Sequence, residues 1–229
     1  MTNTIPVITI DGPSGVGKGT TTLRVARYLN WHTLDSGAMY RTLALAALQT
    51  GVALNDEMAL ATLAETLNVT FQPLADLSGT AVILNNTDVS LQLRTEDTAN
   101  AASQVAVFEK VRQALLARQR AFQQAPGLVA DGRDMGTVVF PDAAVKIFLT
   151  ANCEERALRR YKQLKEKGIN AKLDDLIQEI KVRDERDSNR VVAPLVAAED
   201  ACIIDTSSLS IEAVVALVLK EVPPASLTA

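Results

Sequence analysis

The sequence predicts an α/β fold, a parallel sheet covered by helices on both faces. Three observations carry this. Short apolar runs alternate with helix-like segments along most of the 229 residues, the pattern of crossover helices laid over a buried parallel sheet. The first such run, "VITID", leads directly into the Gly-rich stretch "GPSGVGKGT" (12–20). One region, about 62–106, breaks the rhythm with short alternating runs separated by Asn, Asp, Gly and Ser, which reads as a small antiparallel insertion.

The elements follow in order. "PVITID" (6–11) is an apolar, β-branched run ending at a Gly turn, and a helix is expected over about 18–30. "WHTLD" (31–35) reads as a second strand, with Ser36 as N-cap of the helix through "AMYRTLALAALQT". "NVTFQP", "TAVILNN" and "TDVS" supply the insertion, with "LNNTDVS" as a hairpin. "GLVADG" (127–132) and "VKIFLTA" (145–151) are buried strands bounded by turn residues. Helices are expected at about 153–167 and 173–189, then a last strand "ACIIDT" (201–206), a last helix at 210–221 and a frayed tail "VPPASLTA".

Bulk properties narrow the function. A chain that is 48% hydrophobic and 22% charged has the composition of a globular protein. A net charge of −4 argues against a general nucleic-acid binder, which would carry a basic excess. No apolar run approaches the roughly 18 residues that span a bilayer, and the N-terminus lacks a signal-peptide shape. Two cysteines outside any C-x-x-C pattern, Cys153 and Cys202, suit a reduced, cytoplasmic chain with free thiols. The single histidine, His32, removes His-rich zinc sites and speaks against a Ser-His-Asp triad.

The stretch Gly12, Pro13, Ser14, Gly15, Val16, Gly17, Lys18, Gly19 and Thr20 satisfies G-x-x-x-x-G-K. Backbone N–H groups can turn inward around an anion only where Gly admits positive φ or close approach. The helix that follows adds its positive N-terminal end. Lys18 is placed to reach the β- and γ-phosphates of a nucleotide, and a nearby hydroxyl serves Mg²⁺. GTPases and many ATPases carry Ser or Thr directly after this Lys. Here Gly19 stands there, and "GKGT" resembles the nucleoside-monophosphate kinases instead. Thr20 is then the metal or phosphate hydroxyl, directly or through water.

A kinase also needs an acceptor site. "LDSGAMYR" supplies Asp35, Ser36, Tyr40 and Arg41, and "ADGRDMGTVVF" supplies Asp131, Arg133 and Asp134 at the end of an apolar strand, where open α/β sheets bind ligands. Two basic helices follow. One carries Arg156, Arg159 and Arg160. The other carries Arg183, Arg186, Asp187 and Arg190, whose spacings of 3, 4 and 7 line one face. Each helix alone reads as a solvated, salt-bridged surface. Beside a phosphate loop they read as positive charge for phosphoryl transfer.

Taken together, "VITIDGPSGVGKGT", "LDSGAMYR", "NAASQVA", "VADGRDMGTVVFPDA" and "RDERDSNR" resemble bacterial-type cytidylate kinases across nearly the whole chain. The loop alone marks a superfamily; "DSGAMYR" with "DGRDMGTVVFPDA" is far more specific. The resemblance implies one P-loop kinase domain over 1–229, with a five-stranded parallel sheet. It implies a nucleoside-monophosphate-binding insertion at about 62–106 and a short helical lid at about 153–170 that closes over ATP. It implies that Ser36, Ser103, Arg112, Arg133 and Asp134 surround cytidine monophosphate (CMP), with Arg41 and Arg133 on its phosphate. Arg183 and Asp187 match its sugar contacts, and Arg190 another acceptor position. The partners are ATP with Mg²⁺ and CMP or dCMP, without nucleic acid or membrane, and the family is monomeric.

The base assignment also follows from chemistry. The cytosine N4 amino group donates to a carboxylate, a role that fits Asp134 with Ser103 assisting, while Arg112 donates to the acceptor edge. Uracil would present an acceptor to Asp134, an unpaired buried contact costing about 1–3 kcal/mol. Lys18 with Arg133 and an arginine of 153–168, Arg160 being the candidate, would stabilise the moving phosphoryl. Asp131 and Asp35 are alternative holders of a metal-bound water. Competing readings are a P-loop kinase for adenylate, uridylate or shikimate-like acceptors, and a nucleotide switch. The switch lacks an N-K-x-D and the G-K-S/T form.

Overall fold

The computed structural model describes residues 5–74, 80–166, 168 and 170–223. Residues 75–79 of the expected insertion, 167 and 169 of the expected lid, and 224–229 of the expected frayed tail lie outside the described residues. The chain divides into two compact units, one of residues 1–33 with 123–229 and one of residues 34–122.

The expected sheet falls in the first unit except for Leu34 and Asp35, the last two residues of its second strand. Strands β1 (Val7–Asp11), β2 (His32–Asp35), β6 (Leu128–Gly132), β7 (Val145–Thr150) and β8 (Cys202–Asp205) lie in the order β2-β6-β1-β7-β8. The β1–β6, β1–β7 and β7–β8 ladders are parallel. All five residues of β1 and of β6 are buried, which explains why both read as continuous apolar runs rather than alternating ones. Helices α1 (Lys18–Leu29), α6 (Cys153–Glu166), α7 (Leu173–Ser188) and α8 (Ile211–Lys220) belong to this unit. Ile8, Ile10, Val129, Ile147 and Leu149 of the sheet cluster with Val25 and Ala26 of α1 and Val214 and Val218 of α8. Each large side chain fully buried there contributes about 1.5–3 kcal/mol.

This topology places the phosphate loop. Strand β1 is central, and its neighbours β6 and β7 flank it on opposite sides. Chain connections therefore diverge at the carboxyl end of β1, where a crevice forms in open α/β sheets.

The second unit holds α2 (Ser36–Thr50), α3 (Glu57–Glu65), α4 (Glu96–Val105) and α5 (Glu109–Arg120). It also holds an antiparallel sheet of β3 (Val69–Pro73), β4 (Thr80–Leu84) and β5 (Thr87–Asp88). Asn85 and Asn86 both take positive φ, 49° and 66°, the two-residue hairpin conformation that Asn tolerates. Leu43, Leu60, Leu84, Val105, Val111 and Leu115 form its core.

Three expectations change here. The antiparallel part of the insertion runs only from Val69 to Asp88. The residues after it form a 3-10 turn (Gln92–Arg94) and α4, because the Thr95 hydroxyl accepts from Thr98 N and starts a helix in "EDTANAASQV". Ser36 is not the N-cap of α2. Asp35 is, its Oδ1 accepting from Ala38 N at 2.8 Å, because Asp35 holds the extended backbone a cap needs while Ser36 is already helical. Finally, α7 ends at Ser188, so Arg190 is not on its face. The chain reverses there, with Leu195 N donating to Asp187 O, and Arg190 Nε folds back to the same carbonyl at 3.2 Å.

Candidate active site

The 12–20 segment forms a compact loop between β1 and α1. Gly12 has φ +146°, and a Cβ there would strike the Leu149 carbonyl oxygen of β7, so no other residue fits. Gly17 also takes positive φ, 96°, immediately before the first turn of α1. Val16, 2% exposed, anchors the loop in the sheet core.

Lys18 is 8% exposed, and its Nζ donates to Pro13 O at 2.7 Å. Burial and the nearby Arg133 push its pKa down to about 7, with Arg183 adding to the effect and Asp131 and Asp11 opposing it. A cation held among cations and folded onto its own loop is a site short of negative charge. The Asp131 carboxylate lies 4.0 Å from the Cβ position of Gly19, next to Thr20.

The turn after β6 carries Arg133 and Asp134. Asp134 is 3% exposed, and its carbonyl accepts from Val138 N at 2.9 Å and Val139 N at 3.2 Å. This begins a single π-type turn over Met135–Val139, a feature that concentrates at functional sites. Arg133 Nε donates to Asp187 Oδ2 at 2.8 Å. Burial by itself would raise the Asp187 pKa, but Arg133, then Arg190 and Arg183, outweigh it and hold the carboxyl below its ordinary value. Arg133, Arg183, Asp187 and Arg190 are thus one electrostatic cluster, drawn from a strand end, a helix and the reversal after it.

Arg160 is half-buried on α6 and donates to Gln163 within that helix at 3.4 Å. Arg156, one turn earlier, is 4% exposed. It donates to Ser14 O of the loop at 3.0 Å and pairs with Asp184 of α7 at 3.1 and 2.5 Å. Arg159 reaches Thr206, donating to its hydroxyl at 3.1 Å and its carbonyl at 2.5 Å. The Thr206 hydroxyl is also 3.2 Å from Val16 O. Start of α6, phosphate loop and the turn after β8 are therefore tied together.

In the second unit, Asp35 Oδ2 pairs with Arg41 at 2.8 Å. The pair folds across Gly37, where a Cβ would lie 2.9 Å from Arg41 Nη1 and 3.1 Å from Asp35 Oδ1. A larger residue there would have to push the Arg41 or Asp35 side chain aside. Both Asp35 oxygens are engaged, by the α2 cap and by Arg41. Ser36 Oγ, released from capping, donates to buried Gln119 at 2.8 Å. The Arg112 guanidinium sits 5.5 Å from the Tyr40 ring centroid and donates to Ala106 O, a cation–π contact. Ser103 is 4% exposed, and its hydroxyl has no hydrogen-bond partner among the described residues. A buried, unsatisfied hydroxyl costs free energy.

Sequence reasoning assigned no role to Asp11, Gln119, Asp184 or Thr206. Only the position of Asp11, at the end of a strand just before the loop, could have drawn attention to it. The others depend on contacts made far along the chain. Among the described residues no three His, Cys, Asp or Glu side chains gather as a metal cage, and no helix is long and apolar enough to cross a membrane.

Comparison with known proteins places the chain in a family. The profile described as "Cytidylate kinase" matches residues 8–224. The chain is 58% identical over 219 residues to a cytidylate kinase of Aeromonas salmonicida (strain A449), covering 96% of this chain and 94% of that one. It is 60% identical over 215 residues to a cytidylate kinase of Enterobacter sp. (strain 638), covering 94% of each. It is 56% identical over 222 residues to that of Shewanella frigidimarina (strain NCIMB 400), covering 97% of each.

Proposed function

Since the chain belongs to the cytidylate kinase family, we propose that it transfers the γ-phosphoryl group of ATP to CMP or dCMP, giving ADP and CDP or dCDP. The observation that carries this reading is the family match across 8–224 joined to an intact phosphate loop at the carboxyl end of β1.

ATP phosphates take the 12–20 loop and the N-terminus of α1. The acceptor phosphate oxygen is already ionised at neutral pH, so it attacks the γ-phosphorus in line without a strong general base. The work left for the protein is positioning and charge stabilisation. Lys18 leaves the Pro13 carbonyl for the phosphates, and Arg133 neutralises charge on the group in transfer. Arg160 closes over the same group with the lid at 153–170, excluding water that would hydrolyse ATP. Arg156 is buried against the loop carbonyl and serves as the fixed end of that lid.

The acceptor set we assign is Ser36, Tyr40, Arg41, Ser103, Arg112, Arg133, Asp134, Arg183, Asp187 and Arg190. Asp134 and Ser103 receive the cytosine amino group, and Arg112 donates to its acceptor edge. Arg41 and Arg133 take the phosphate, Arg183 and Asp187 the sugar. Arg41 exchanges part of its pairing with Asp35 for the phosphate. Residues near the loop suit Mg²⁺, a hard ion that takes oxygen ligands and leans on substrate phosphates. Thr20, directly or through water, and Asp131 would hold it, and its charge would neutralise the phosphate oxygens. Asp131, whose Oδ2 lies 4.0 Å from the Cβ position of Gly19, is preferred for that proximity to the loop; Asp35 caps α2 and pairs with Arg41. The half-buried, free Cys153 and Cys202 suit a reducing, cytoplasmic setting, and the family resemblance alone suggests a monomer.

The test is a coupled assay of ADP release with ATP and each of CMP, dCMP, UMP, AMP and GMP. CMP and dCMP are expected to lead UMP by about one to two orders of magnitude in kcat/KM, the effect of one unpaired buried contact. A chain preferring AMP or UMP would overturn the reading.

A further inference from the structure

Asp11 ends β1, one residue before the phosphate loop, and is 4% exposed. Its two oxygens are used one each: Met135 N donates to Oδ1 at 2.9 Å and Gly136 N to Oδ2 at 2.8 Å. Those amides open the π-type turn, where a helical segment has no internal acceptors for its first N–H groups. Asp11 therefore caps that turn from the neighbouring strand.

The register makes this grip tight. Asp11 lies opposite Gly132 in the β1–β6 ladder, two residues before Asp134. A Cβ on Gly136 would lie 2.8 Å from Thr9 Oγ1 of β1, and one on Gly132 would lie 2.9 Å from the Met135 side chain. The turn is pressed onto the strand that holds it, and Asp134 is the residue just before the two gripped amides.

We infer that Asp11 is a positioning residue for acceptor recognition, holding the Met135 and Gly136 amides so that the Asp134 carboxylate is fixed for the cytosine amino group. The inference rests on the role given to Asp134 above. A second observation agrees. Burial raises the Asp11 pKa to about 6 despite the two amides, with Asp134 adding repulsion and Lys18 attraction. A carboxylate is kept where its charge is disfavoured, and only a carboxylate offers both amides an acceptor. Asparagine would present one oxygen and one NH₂ group.

The experiment compares the unmodified chain with Asp11→Asn. Expected are amide hydrogen exchange at Met135 and Gly136 faster by ~10-fold or more, and a KM for CMP raised ~10-fold, the size of one lost buried acceptor. The KM for ATP should change less than about twofold, and the CMP-over-UMP preference should fall by the same factor as CMP affinity. Asp11→Glu, which keeps both acceptors but displaces them, should shift the same three readings by less. Unchanged exchange in both variants overturns the inference. So does an equal rise in both KM values, which would make Asp11 a general support of the loop. An unmodified chain inactive on CMP overturns the function reading itself, before any variant is compared.

Discussion

Arg133 and Asp187 meet at 2.8 Å, joining the turn after β6 to the end of α7 across 54 positions of sequence. Asp187 also faces Arg183 and Arg190, so one carboxylate balances three guanidinium groups. Replacing Asp187 by Asn removes the anion paired with Arg133 and the charge beside the other two. The expected loss is about 3 kcal/mol at neutral pH, the scale for breaking a buried pair. Because the folded pKa lies below the ordinary 3.8, this stabilisation is present above that value and lost as pH falls through the folded one. Urea unfolding of both proteins should show a wide gap at about pH 7 that closes under strongly acidic conditions. A gap independent of pH would show that packing, not charge, holds the contact.

Asp11 has the opposite sign. Its folded pKa, about 6, lies above the ordinary 3.8. Between those values the folded chain keeps a proton that the unfolded chain has released. Its contribution therefore falls as pH rises from about 4 to about 6, by roughly 3 kcal/mol, and is level above that. The difference in unfolding free energy between the unmodified protein and Asp11→Asn isolates this effect. A difference rising over that interval would contradict the burial of the charge.

Lys18→Ala should separate stability from turnover. The ammonium is buried beside Arg133, so its removal should leave the melting temperature unchanged or raised. Loss of its charge on the transferred group should lower kcat by ~10²–10³. Calorimetry and the coupled assay check the two halves. Near-normal turnover would remove Lys18 from the mechanism.

Two glycines of the loop should behave differently. Gly12→Ala forces a side chain into the Leu149 carbonyl at positive φ and should cost more than about 3 kcal/mol or prevent folding. Gly19→Ala meets nothing closer than Asp131 Oδ2 at 4.0 Å and should change stability by less than about 1 kcal/mol. Thermal melts of both variants decide this. Similar losses would show that Gly19 is also needed for folding.

Asp134→Ala should raise the KM for CMP more than that for ATP. Steady-state kinetics with each substrate varied in turn provide the check, and equal effects would take Asp134 off the acceptor.

Periodicity made most of the sheet legible. "VITID", "GLVADG" and "VKIFLTA" fall on β1, β6 and β7 within a residue or two, because strands buried on both faces need continuous apolar runs. The helices of the second unit were less legible. α3, α4 and α5 carry mixed apolar and polar faces next to short strand-like runs, and the cap at Thr95 decides where strand gives way to helix. Ser36 and Asp35 show the same limit at one residue, since both are good caps by type and only the backbone conformation selects Asp35.

The sequence by itself determined the phosphate loop, the α/β class and the kinase family, because these depend on local spacing: glycines at fixed offsets, a Lys at a helix start, apolar runs at strand length. Only the tertiary structure decided which polar residues act on one another. Asp11 gripping the turn at Met135, Arg156 bracing Ser14, and Arg133 paired with Asp187 each join positions more than fifty residues apart. Such contacts follow from strand order and register, which bring distant residues to the carboxyl end of the sheet, and no periodicity along the chain encodes that order.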